Sequence, residues 1–250
     1  MINLKTTREL RYMRDAGKIS QEALLKAGEA VRPGVSTLEL DKIVRRTIEK
    51  AGAVPSFLGY GGFPASACMS VNNVVIHGIP SAHEILKEGD IVSIDVGAIY
   101  EGFNGDNAWT FPCGKVSEEA QKLMDATRES LFLAIEKAVP GNRIGDIGSA
   151  VQQYVEARNY SVVREFVGHG VGAKLHEDPS VPNYGTPGRG VRLLPGMTIA
   201  IEPMVTQGSC EVKILKDGWT TVTKDGKLAA HFEHSIAITP DGPVILTSLD

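Results

Sequence analysis

Two segments of this chain carry one pattern: "RPGVSTLELDKIVRRTIEKAG" from Arg32 and "VPGNRIGDIGSAVQQYVEARN" from Val139. Superposing Pro33-Gly34 on Pro140-Gly141 sets an offset of 107. The same offset matches Glu39 with Asp146, Leu40 with Ile147, Val44 with Val151, Ile48 with Val155 and Glu49 with Glu156. Apolar positions 40, 44 and 48 form one helical face in each copy. A longer amphipathic helix is expected before each, over 7–30 and 117–138. Further on, "LKEGDIVSIDVGA" (86–98) lies over "LLPGMTIAIEPMV" (193–205), matching Gly89 with Gly196 and Asp95 with Glu202. Two separate segments agreeing on one offset point to a duplicated chain. The expectation is one domain over 1–250, with halves of 1–112 and 113–250.

In both copies a glycine turn leads into a short β-rich run that ends in an acid. Each run then has a return partner. In the first half "YEGFNG" reads as a turn and "DNAWTF" as the strand beginning at Asp106; in the second half "FEHSIAI" starts its polar-to-apolar pattern around Glu233. Between Glu202 and Glu233, "EVKILKDGWTTVTKDGKL" reads as a further hairpin with turns at Asp217-Gly218 and Asp225-Gly226. Each half therefore offers one acid on an outgoing strand and one on its neighbour.

Asp95, Asp106, Glu202 and Glu233 all sit in or beside apolar runs, where a lone carboxylate costs several kcal/mol. Taken singly, Asp106 in "NGDN" reads as a turn residue and Glu202 before Pro203 as a strand-end charge. Their equivalence in the repeat favours convergence near a pseudo-twofold axis. Four converging carboxylates repel unless protons or cations compensate them, and two divalent cations balance four charges. An oxygen-rich site with one imidazole suits Mn, Fe, Co or Zn, and two such ions can activate water against a carbonyl or phosphoryl group. The stretch "GHGVGAKLH" supplies His169 and His176. Their spacing of seven is not that of a one-helix zinc motif, which leaves open a shared ion or separate tasks.

Composition narrows the classes. A net charge of −4 argues against a nucleic-acid binder working through a basic face, and the locally basic "KIVRRTIEK" reads as a solvated helix face. Three scattered cysteines without a CxxC exclude a disulfide framework and a thiolate zinc site. The charged N-terminal segment has no signal-peptide core, and no segment reaches the apolar length of a membrane span, so a cytoplasmic protein is expected. "GHGVG" lacks the G-x-G-x-x-G spacing of a dinucleotide binder.

The ordered set "SIDVGAIYEGFNGD", "GHGVGAKLHEDP", "IEPM" and "FEHS" closely resembles bacterial type I methionine aminopeptidases. The resemblance runs from "MINLKTTREL" to "ITPDGPVILT" and includes "GYGGFPASACMSVNNVVIHGIP", similar to the family's substrate-pocket segment. It implies an α/β (α+β) pita-bread fold: two pseudo-twofold-related halves with a central curved antiparallel sheet flanked by helices. It implies two divalent metal ions (Co, Mn, Fe or Zn) held by Asp95, Asp106, His169, Glu202 and Glu233. Asp95 would chelate one ion, Asp106 and Glu233 bridge both, and His169 and Glu202 complete the other's shell. Glu202 would also be the general base as a metal-bridging hydroxide attacks the scissile carbonyl. His77 and His176 would contact substrate and steady the tetrahedral intermediate.

The S1 pocket for a methionine side chain would draw on Tyr60, Phe63, Cys68 and Trp219, with Phe57 and Leu175 as neighbours. Taken alone, each aromatic reads as core packing and Cys68 as an inert thiol. The implied activity is removal of N-terminal methionine from nascent proteins and peptides with a small second residue. Implied partners are nascent N-termini near the ribosome exit, with no nucleic acid and no membrane, and the protein is expected to be a monomer. Aminopeptidase P and prolidase share the fold, but generally carry an extra N-terminal domain; here only some ninety residues precede Asp95. The His169–Glu202 interval also leaves no room for the helical insertion of the type II enzymes.

One position departs from the family pattern: His231 stands where Gln is usual. Lying two residues before Glu233, it shares that strand face and either orients a carboxylate or faces solvent. His234 is expected to point the other way as a structural residue, and His83 to lie on the surface.

Overall fold

The computed structural model describes residues 2–249. The repeat recurs in it at residue precision. Helices α1 (Thr7–Glu29) and α2 (Thr37–Lys50) belong to the first half, α3 (Glu118–Glu136) and α4 (Ile144–Glu156) to the second. Helices α2 and α4 start 107 residues apart, as do the strands Ile91–Tyr100 and Thr198–Ile201. The isolated bridges Ser36–Ile85 and Arg143–Arg192 keep the same offset. So do the left-handed glycines, Gly34 (φ 91°) with Gly141 (φ 93°) and Gly89 (φ 91°) with Gly196 (φ 92°).

Local chemistry accounts for the helix starts. Thr6 caps α1 and Ser36 caps α2, each in a reciprocal box with the Glu three residues on, and Ser117 caps α3. The basic residues Lys42, Arg45, Arg46 and Lys50 lie on the solvated face of α2, while Leu40, Val44 and Ile48 are fully buried.

The central antiparallel sheet runs Val54–Pro55, Ile91–Tyr100, Phe103–Pro112, Glu233–Thr239, Thr198–Ile201, Gly168–Gly170, Glu177–Val181. Ala67–Val71 also pairs with Ile91–Tyr100, and Gly242–Ile245 with Glu233–Thr239. The halves join where Phe103–Pro112 meets Glu233–Thr239, with Glu233 opposite Ala108 and His234 opposite Asn107. Each half packs its helices mainly on its own strands, with Met13 of α1 also joining Val171, Ala237 and Leu246 of the second half. Leu40, Val44 and Ile48 of α2 join Val92, Ile94 and Val96; Ile147, Val151 and Val155 of α4 join Ile199, Ile201 and Ile236. This is the expected α+β architecture.

One boundary differs from expectation. The turn is only Glu101-Gly102, both residues left-handed (φ 50° and 80°), so the return strand begins at Phe103 and Asp106 lies within it. A two-residue turn with both central residues at positive φ matches the twist of the flanking strands. The further hairpin forms as expected: Val212–Ile214 pairs with Thr221–Thr223 around Asp217-Gly218. The strand after Asp225-Gly226, Ala229–His231, instead pairs with Met204–Thr206.

Helix α1 crosses the sheet at a contact that admits no side chain. A β-carbon on Gly105 would stand 2.4 Å from the Gly17 nitrogen and 2.5 Å from its α-carbon. Gly105→Ala must push α1 away from the strand that carries Asp106, and is expected to lower stability by about 1–3 kcal/mol in denaturant unfolding. An unchanged midpoint would show that this crossing is not tight.

Candidate metal centre

Strand register brings the acids together. Ala108 lies opposite Asp95 on one side and Glu233 on the other, so these three side chains share one sheet face. Asp106, two residues before Ala108, shares it by the period of a strand. Across the junction Ala200 pairs with both Ser235 and His169, which puts His169 on that face as well. Glu202 follows two residues after Ala200, and its Oε1 lies 3.6 Å from His169 Nε2. Asp106 Oδ2 is 3.7 Å from the same nitrogen.

The glycines flanking His169 serve the sheet. A β-carbon on Gly168 would meet the Ala200 carbonyl oxygen at 2.4 Å, and one on Gly170 the Asp178 carbonyl oxygen at 2.2 Å. Close strands thus hold the imidazole in place. The Gly170 carbonyl, which can only accept, takes a hydrogen bond from His169 Nδ1 at 2.8 Å. The Nδ1 therefore carries the proton, and bare Nε2 faces the acids.

That arrangement lacks a positive partner. Asp95 Oδ1, Asp106 Oδ1 and Glu233 Oε1 are buried without a hydrogen bond, and no Lys or Arg among the described residues lines the pocket. Burial holds Asp106 up at about 7. Burial, reinforced by Asp106, raises Asp95 well above the carboxylate range. Glu202 is raised likewise by burial and then by Asp95, and Glu233 by burial and then by Asp106. Burial pushes His169 down to about 4, so it is neutral and a competent ligand. Two groups of ligand atoms are close enough to hold an ion: Asp106, His169 and Glu233, and Glu202, His231 and Glu233. Glu233 belongs to both, while Asp95 stands outside these two triads with its orphaned oxygen beside them. An oxygen-rich donor set with unpaired lone pairs and no cation fits divalent metal.

The acids open onto an apolar pocket walled by Phe57, Tyr60, Phe63, Cys68, Leu175 and Trp219, all six expected there. Trp219 stands edge-on to Phe63 at 5.2 Å, carried in by the Asp217-Gly218 hairpin. Cys68 lies opposite Asp95 in register, and its thiol is held up by burial, an inert wall. His77 also lines the pocket, its backbone left-handed (φ 59°) and its ring edge-on to Phe166 and Trp219. His176 lies outside both candidate ion groups. Its ring stands 4.2 Å from that of His169, and its Nδ1 is 2.7 Å from the Tyr60 hydroxyl. The two histidines of "GHGVGAKLH" thus take different positions, one among the acids and one at the pocket mouth.

His231 does not face solvent. It is 1 % exposed, and its Nε2 is 3.5 Å from Glu202 Oε2 and 4.0 Å from Glu233 Oε2. His234 points the other way, as expected, against Trp109 and Phe132, with Nδ1 2.8 Å from the Thr247 hydroxyl; His83 is exposed. Two supporting residues escape the sequence reading. Buried Asp41 on α2 accepts the backbone N–H groups of Ser66 (2.8 Å) and Ala67 (2.9 Å), fixing the strand that presents Cys68. Asn183 donates to the Glu202 carbonyl at 2.9 Å. A polar residue on a helix's buried face was the only available signal for Asp41, and nothing in sequence pairs it with residue 66.

The model for "Metallopeptidase family M24" matches residues 11–240, and the chain belongs to this family. Within it, the methionine aminopeptidase of Clostridium perfringens is 59% identical over 247 residues, covering 99% of each chain. The crystal structure of the methionine aminopeptidase from Thermotoga maritima superposes with a TM-score of 0.98 at 47% identity, over 99% of this chain and 100% of that one. The prolidase from Pyrococcus furiosus, 23% identical with a TM-score of 0.77 over 99% of this chain and 66% of that one, shares the fold.

Proton linkage follows from the shifts. In the ion-free cluster burial and neighbouring acids favour the protonated carboxyls, with Asp106 held up at about 7, while His169 holds no proton on Nε2. A divalent ion must displace those protons, so affinity is expected to climb with pH across about 6–8. Calorimetry in buffers of different ionisation enthalpy should register the release. Binding without proton release would contradict the raised acids.

Proposed function

We propose that this chain is a metal-dependent exopeptidase that removes N-terminal methionine from peptides and nascent proteins whose second residue is small. The observation that carries the reading is an acid cluster with unpartnered buried oxygens opening directly onto an apolar pocket walled by Phe57, Tyr60, Phe63, Cys68, Leu175 and Trp219. Relatives named methionine aminopeptidase over the whole chain support it. We further propose that 1–250 acts as one catalytic domain and that Asp95, Asp106, His169, Glu202 and Glu233 hold two divalent ions. Those ions would neutralise the acids and polarise the scissile carbonyl as Lewis acids.

The remaining roles fall to side chains of the chain itself. The pocket wall takes the flexible thioether, whose polarizable sulfur suits aromatic and thiol neighbours, and excludes water from it. A free α-amine would complete the shell of one ion beside the acids, a ligand that only a chain terminus can supply. Glu202, at the junction of acids and pocket, is placed to accept the proton of the attacking water and pass it to the leaving amine. His77 is held near 4 by burial, and His176 is lowered for the same reason. Both are neutral at pH 7, so each can donate one N–H to the carbonyl oxygen or the following amide. We further propose a monomer working in the cytoplasm on termini near the ribosome exit; no helix among the described residues is long and apolar enough to cross a membrane.

Metal-reconstituted protein should cleave Met-Ala-Ser well, a Leu peptide poorly and an X-Pro peptide not at all; cleavage of the X-Pro peptide alone would overturn the assignment in favour of the prolidase reading. Asp106→Asn should abolish activity at any ion concentration, and normal turnover would remove its bridging role. His169→Ala should weaken metal binding. His176→Ala should keep the ions and lower kcat by roughly a hundredfold or more; equal metal loss in both variants would mean the two rings share an ion.

A further inference from the structure

His231 is a buried imidazole with nothing to bind. Neither ring nitrogen has a hydrogen-bond partner, and the residue is 1 % exposed. Its backbone, by contrast, is fixed on both sides. The Thr110 hydroxyl accepts from the His231 N–H at 3.0 Å and donates to its carbonyl at 2.8 Å. Ser93 completes that chain through the Thr110 oxygen at 2.8 Å. Met204 lies opposite His231 in the neighbouring strand. A ring so anchored and left without a partner points at something that completes it.

What it points at is the Glu202–Glu233 side of the acid cluster. The separations of 3.5 Å to Glu202 Oε2 and 4.0 Å to Glu233 Oε2 are too long for good hydrogen bonds. They suit donors on a common ion: with metal–ligand bonds of about 2.0–2.2 Å, neighbouring donors stand roughly 3.0–3.5 Å apart and opposite ones about 4 Å. The same relation holds on the other side of Glu202, where His169 Nε2 lies 3.6 Å from Oε1. Glu202 is thus flanked by two imidazoles, one at each carboxylate oxygen.

We propose that His231 is itself a metal ligand, adding an imidazole to the ion held by Glu202 and Glu233. The inference rests on the dinuclear reading above and deepens it. Each candidate group then carries one imidazole, His169 with Asp106 and Glu233 in the first and His231 with Glu202 and Glu233 in the second. The second favours nitrogen-seeking divalent ions such as Co, Fe or Zn over Mn or Mg.

Proton NMR of the Co(II)-loaded protein in water tests this, because a ligated imidazole shows its remaining ring N–H as a strongly shifted, exchangeable signal. Two such signals are expected in the unmodified protein. His231→Gln should lose one and bind Co(II) at least about tenfold more weakly in calorimetric titration, with a smaller change for Mn(II). His176→Ala, which changes the ring beside His169, should keep both signals. A single shifted N–H in the unmodified protein overturns the proposal even if the Gln variant fails to fold, as does loss of the second signal in His176→Ala. Failure to take up any Co(II) would instead refute the metal-dependent function on which the proposal stands.

Discussion

Like-charge repulsion among buried carboxylates is the constraint on which this structure turns. Asp106 and Glu233 are almost wholly enclosed, Asp95 and Glu202 nearly so, and the nearest rings are neutral histidines. A protein could dissipate such repulsion by letting the strands slip or the side chains swing to water. Here the register forbids both, since a one-residue slip would turn every acid onto the opposite, helix-covered face. The fold therefore holds an electrostatic deficit in place, and a divalent cation is the partner whose charge and ligand preference answer it.

The division of labour between halves explains how such a deficit is tolerated. Each half builds an apolar core largely from its two helices and its own strands, and Trp109 packs against both cores. The seam where Phe103–Pro112 meets Glu233–Thr239 carries the polar residues. Ser235 reinforces it, its hydroxyl accepting from the Asp106 N–H at 3.2 Å and donating to the Asp106 carbonyl at 2.8 Å. Two well-packed cores on either side leave the seam free to serve chemistry instead of stability. The strand beside the seam, Ile91–Tyr100, meets the pocket where Asp95 lies opposite Cys68, so acids and pocket wall are carried by one stretch of sheet.

The repeat made much of this legible before any coordinates. Asp95 and Glu202 occupy equivalent points because Gly89 and Gly196 start equivalent strands, and glycine at a left-handed turn is a signal that sequence carries openly. Asp106 was legible as the first residue of the return strand but not as an interior one. "EGFNGD" holds more turn-forming residues than the two-residue turn uses, and the pairing of Phe103 with Tyr100 decides where the strand begins. His231 could not be placed from sequence because its strand breaks at Phe232, and alternation across a break does not settle which way a ring faces. Asp41 was invisible for another reason: its partners are backbone N–H groups, which have no residue-type signature. Pocket residues, drawn from well-separated segments, were identifiable through family resemblance and not through any local pattern.

Ala108 gives the register a further meaning. Fully buried and flanked by Asp95 and Glu233, it is the floor on which the acids stand, and its methyl group fixes how near they come. It has no donor atom, no charge and no role in any reaction scheme. Yet a larger side chain there would wedge the carboxylates apart and reset the bite of the whole centre, while a glycine would loosen the strand between them. The aperture of this site is thus tuned by a residue that a survey of chemically active groups would pass over, and natural variation at that position would report on ion size before it reported on catalysis.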